Sequence, residues 1–113
     1  MDRRSFVHEA TLSLEPGVDR GAPGAAITMA LCGHWEHTPP CRWPHNSQLV
    51  NVSGASWLRT IFVSTGEDEP AIRLEIEAAL SSSSDWSVLD SGPGTLSVAD
   101  SALAARLLAG PHL

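Results

Sequence analysis

The chain has no lysine, no tyrosine, two phenylalanines and two cysteines in 113 residues. Each scarcity excludes something. All seven basic residues are arginine, set against thirteen acids for a net charge of −6. An acidic chain without a basic stripe is a poor match for phosphate backbones or anionic lipid, so neither nucleic acid nor a membrane surface is expected as a partner. Its apolar runs are short. The longest, Ala25 to Ile27 and then Met29 to Cys32 beyond Thr28, falls far below the roughly 20 residues of a bilayer span. The opening residues, Met1 to Glu9, contain no apolar segment of secretory type, so a cytoplasmic setting is expected. In that setting a disulfide between Cys32 and Cys41 is not expected to persist.

With so few rings the core must be aliphatic, and four tryptophans stand out against it. Two of them, Trp35 and Trp43, fall in the segment where the metal-binding side chains gather. Both cysteines and three of the five histidines lie within fourteen residues, Cys32 to His45, spaced C-x-H-x2-H-x3-C-x3-H. Thiolate and imidazole suit Zn2+, which takes four ligands in a structural site. The preferred set is Cys32, His37, Cys41 and His45. His34 is the reserve, and Glu36 is suited to accept a free imidazole N–H. The prolines at 39, 40 and 44 would hold these donors without regular structure. Paired C-x2-C knuckles are absent, and the His-Trp-Glu-His stretch is not the H-E-x-x-H of metalloproteases. The spacing therefore suggests a structural site and names no reaction.

Two other readings of the cluster compete with zinc. Cys32 could be a small core hydrophobe at a helix end, with the histidines on a surface loop. Cys41, beside Arg42 and near His37 and His45, could be a nucleophile. No recognisable triad or glycine-rich oxyanion loop accompanies it, so an enzyme is the less favoured expectation. A metal-ordered loop would turn Trp35, Arg42 and Trp43 outward, where a protein or a small ligand could dock. The alternative is a metal-free ligand-binding or homodimeric module.

The rest of the chain reads as one domain, residues 1–113, with the Cys/His/Trp-rich loop 32–46 after the first helix. Residues Phe6 to Leu14 alternate, as in a half-buried strand. A short buried helix is expected over Ala25 to Cys32, with Pro23 tolerated in a first turn and Gly33 closing it. Leu49 to Val52 and Trp57 to Val63 form a hairpin, the later strand being central. Acids at 67–69 precede an amphipathic helix reaching about Leu80, with Ile72, Ile76, Ala79 and Leu80 on one stripe. Trp86 to Leu89 is a short strand, followed by a Gly/Pro loop to Thr95. Ser97 and Asp100 make a capping box for a last helix, Val98 to Ala109. His8 points inward from the first strand and is expected to be a satisfied core or rim histidine. The order β-α-β-β-α-β-α resembles the ferredoxin-like split-βαβ class. That resemblance implies an antiparallel four-stranded sheet with helices on one face and an extra C-terminal helix. A fold hosting many functions fixes none of them.

Overall fold

The computed structural model describes residues 2–33 and 43–109. Strand β1 (Arg3–Leu14) leads into helix α1 (Ala22–Cys32), then strands β2 (His45–Val52) and β3 (Ala55–Thr65). Helix α2 (Glu69–Ser81), strand β4 (Trp86–Gly94), a single 3-10 turn (Val98–Asp100) and helix α3 (Ser101–Ala109) complete the chain. The strands lie in the order β2-β3-β1-β4 and every pairing is antiparallel. This is the expected α+β, ferredoxin-like arrangement.

Alternation along β1 and β3 separates two layers. Ala10, Leu12, Leu58 and Phe62 face α1 and α2, meeting Ile27, Leu31, Ile72, Ile76 and Leu80 in the main core. The Phe6 and Phe62 rings stack across the β1–β3 pairing with centroids 5.6 Å apart. Trp86 fills the lower corner and donates its indole N–H to the Leu80 carbonyl at 2.7 Å. Val7 and Ile61 point the other way, and α3 covers them through Ala104. The C-terminal helix thus lies on the face opposite the other two.

Local chemistry sets the boundaries. Pro23 sits in the first turn of α1, where a missing N–H costs nothing, and Gly33 ends the helix at φ 79°. Ser53 (φ 50°) and Gly54 (φ 84°) make the two-residue turn between β2 and β3. Two consecutive positive φ values are the signature of a type I′ hairpin. The capping box forms as expected, with the Ser97 N–H and hydroxyl both donating to Asp100 Oδ2.

Several elements are longer than their residues suggested. Strand β2 begins at His45 rather than Leu49, inside the stretch expected to be an irregular loop, and β1, α1 and β3 each gain two to four residues. Strand β4 continues to Gly94, through a stretch that reads as a Gly/Pro loop. It can do so because β4 is an edge strand, so the N–H that Pro93 lacks is not needed on the open side. A bulge opposite Thr11/Leu12 shifts the register just before that stretch.

Candidate functional site

The two ends of the Cys/His segment meet at the junction of α1 and β2. Cys32 closes α1 and His45 opens β2, thirteen residues on, with Cys32 Sγ 3.9 Å from His45 Nδ1. Thr28, one helical turn before Cys32, lies behind the imidazole with Oγ1 2.9 Å from Nε2. The Trp43 carbonyl lies 2.9 Å from Nδ1. A carbonyl only accepts, so Nδ1 carries a proton here and the Thr28 hydroxyl donates to Nε2. Thr28 is buried, and the ring is held between helix and strand.

Of the expected zinc ligands, Cys32 and His45 are therefore brought together. His34, His37 and Cys41 lie outside the described residues, as do Trp35 and Arg42. Trp43 is half-buried and packs against the main core rather than turning wholly outward, because the chain at Pro44 already runs beside β3. Cys32 is disulfide-bonded, contrary to the expectation of a reduced thiol. A disulfide sulfur is not the thiolate that ligates zinc. Among the described residues no group of three or more His, Cys, Asp and Glu side chains could hold a metal ion.

A second polar cluster sits beneath the sheet. His8 is 3 % exposed, and its Nε2 lies 3.0 Å from Ser91 Oγ and 3.5 Å from Glu77 Oε2. Ser91 Oγ donates to Glu77 Oε2 at 3.0 Å. Serine, histidine and glutamate so placed resemble the parts of a hydrolase triad, but the proton runs the wrong way. Arg73 Nη1 lies 3.0 Å from His8 Nδ1, and a guanidinium only donates. Nδ1 is then the acceptor and Nε2 bears the hydrogen, so it donates to Ser91 instead of taking its proton. Burial lowers the His8 pKa, Arg73 lowers it further, and Glu77 and Glu9 oppose them in part. The cluster pairs a buried histidine with partly buried Arg73 and Ser91 and the more exposed Glu77, and ties β1 to α2 and β4. His8 is the satisfied core histidine its position in β1 implied. Its partners lie 65 and 83 residues away, and nothing in their own neighbourhoods marks them.

The outer face of the sheet carries a third cluster. Arg59 donates to both carboxylate oxygens of Asp100 at 2.9 Å, to Glu9 at 3.2 Å and to the Thr95 carbonyl at 3.0 Å. The guanidinium also lies 5.6 Å from the Trp57 ring centroid. Hydrogen bonds from Arg59 and then the Ser97 N–H hold the Asp100 carboxyl well below the usual carboxylate range, and Asp100 in turn raises Arg59. This clamp fastens the start of α3 to the sheet. It borders a cleft of about 470 Å³ between the sheet and residues 95–100, with Val50, Trp57 and Ala99 among its walls.

These features define an antiparallel α+β domain of ferredoxin-like order, with a Cys/His pair where the loop leaves the core. No protein-family model, curated protein or solved structure matches the chain. No helix among the described residues is long and apolar enough to cross a membrane.

Proposed function

We propose that the protein is a small metal-binding domain whose Cys32–His45 segment holds zinc when Cys32 is reduced. The observation that carries this reading is the 3.9 Å approach of Cys32 Sγ to His45 Nδ1. Two ligands of one tetrahedral zinc, at about 2.3 Å for sulfur and 2.0 Å for nitrogen, stand about 3.5 Å apart. Little movement separates the two geometries.

The surroundings of the imidazole support the same reading. For Nδ1 to bind metal it must give up its proton and its bond to the Trp43 carbonyl. The hydrogen then resides on Nε2, facing Thr28 Oγ1 at 2.9 Å. A hydroxyl accepts as readily as it donates, so Thr28 serves either tautomer. An oxygen behind the ring is the usual partner of a metal-bound histidine. The further ligands would come from His34, His37 and Cys41, and a loop so anchored could offer Trp35 and Arg42 to a protein or small ligand. A structural role fits better than catalysis, since no substrate-binding signature accompanies the donors.

The test is zinc binding by protein made without a polyhistidine tag, compared before and after reduction. Reduced protein should take up one zinc per chain and release protons as it does. Cys32→Ser and His45→Ala should each abolish stoichiometric uptake. Equal or negligible uptake by both redox forms would overturn the reading.

A second reading is a metal-free ligand-binding domain. It is favoured by the oxidised Cys32 and by the partners already made by both ring nitrogens of His45. Its site would be the cleft beside Trp57 and Arg59.

A further inference from the structure

The two edges of the sheet are built differently, and the difference points to a partner. Strand β4 is guarded: a bulge breaks its register, Pro93 removes a donor, and Asp90 places an exposed charge on it. These are the usual devices that stop one sheet edge from pairing with another. Strand β2 has none of them. Its eight residues, HNSQLVNV, contain no Asp, Glu, Lys, Arg or Pro, and its pairing with β3 is continuous from His45 to Val52.

The register fixes which backbone groups face outward. The Val63 N–H donates to the Pro44 carbonyl at 2.9 Å, so Pro44 and Val63 form a hydrogen-bonded pair. Such pairs recur at every second residue of an antiparallel ladder. Asn46, Gln48, Val50 and Val52 therefore turn their N–H and C=O groups toward β3. Ser47, Leu49 and Asn51 turn theirs off the sheet. On this strand Val50 and Val52 are 46 % and 51 % exposed.

We propose that β2 pairs antiparallel with β2 of a second copy, joining two four-stranded sheets into one of eight strands. Centred on Leu49, the two-fold sets Leu49 opposite its equivalent and Ser47 opposite Asn51, making about six ladder hydrogen bonds. On the outer face Gln48 meets Val50 of the other copy, and the two Val50 side chains lie on the diagonal between those pairs. Leu49, half-buried against its own core, gains cover from its counterpart. The two-fold register favours a second copy as the occupant, because it sets an uncharged β2 residue opposite an uncharged β2 residue along the whole ladder. The net charge of −6 on each chain opposes association, and Arg20, which donates to Asn51 Oδ1 at 2.8 Å, stands at each end of the ladder, so the dimer is a weak one. An edge about 27 Å long and two layers deep buries on the order of 500 Å² per copy, which belongs to a weak dimer.

The experiment is sedimentation velocity from about 1 to 500 µM, run on oxidised protein in chelator so that its outcome is separate from that of the zinc reading. Amide exchange is followed in the same samples. Dimers should form with concentration, and the Ser47, Leu49 and Asn51 amides should slow in step. Val50→Glu, at an exposed site, should weaken association at least tenfold without lowering the monomer's melting temperature. Leu89→Glu on the opposite edge should leave association unchanged. A chain that stays monomeric throughout overturns the proposal. So does a dimer whose three edge amides still exchange freely, or one insensitive to Val50→Glu.

Discussion

Arg73 donates to Nδ1 of His8 at 3.0 Å, and this contact decides which end of a buried imidazole holds its proton. It turns what could be a catalytic serine arrangement into a structural relay running from Arg73 through His8 and Ser91 to Glu77. The relay works only with a neutral ring.

Stability should therefore depend on the charge of His8. Its pKa is lowered on folding, chiefly by burial and then by Arg73, from an ordinary value of 6.5. Below that value the unfolded chain takes up a proton that the folded chain refuses, so stability falls as the pH drops and is fully present above it. Melting temperatures should decline from pH 7 toward pH 5, and His8→Gln should flatten that decline. An unchanged slope in the variant would remove His8 as its cause.

Removing Arg73 should do more than remove a charge. Its Nη1 also donates to the Val7 carbonyl at 2.7 Å, and its Nε pairs with Glu69 at 2.8 Å. Arg73→Met would leave two buried acceptors without that donor, at a cost of about 2–4 kcal/mol. Urea denaturation should show this as a lower midpoint with an unchanged slope. A loss below about 0.5 kcal/mol would mean that the guanidinium acts as an ordinary surface charge.

The Arg59–Asp100 clamp should govern how firmly the C-terminal helix sits. Asp100 both closes the capping box of the 3-10 turn that leads into that helix and accepts two bonds from Arg59. Asp100→Asn should raise amide exchange across α3 while leaving β1 and β3 protected. Because the folded pKa of Asp100 is depressed, its contribution is present above an ordinary value of 3.8 and is lost as the pH falls further. Uniform loosening of the whole sheet would contradict this assignment.

The β2–β3 turn should be improvable. Ser53 holds φ 50° without being glycine, and Gly54 holds φ 84°. Asparagine tolerates the first position better, so Ser53→Asn should stabilise by a few tenths of a kcal/mol. Gly54→Ala should destabilise by about 1–2 kcal/mol. Thermal melts of both variants check the pair of signs.

Much of the fold was legible because local chemistry and tertiary packing agree. The alternation of Phe6 to Leu14, the Pro23/Gly33 bracket and the Ser97/Asp100 box each act within a few residues. The extension of β4 to Gly94 was not legible, since a proline is tolerated there only by virtue of an edge position that topology decides. The relay around His8 was hidden for a similar reason: Arg73, Glu77 and Ser91 look like ordinary polar residues until the sheet carries them to β1. At the candidate metal site, Cys32 and His45 were recognisable by residue type. Thr28 was not, because its role comes from facing His45 across the α1–β2 junction.

X-ray absorption at the zinc edge of reduced, zinc-loaded, tag-free protein reads directly whether Cys32 and His45 hold the ion. The first shell should mix sulfur at about 2.3 Å with nitrogen at about 2.0 Å, with the nitrogen contribution reduced in His45→Ala and the sulfur contribution reduced in Cys32→Ser. A shell of light atoms alone, or a spectrum indifferent to both substitutions, would contradict the zinc reading.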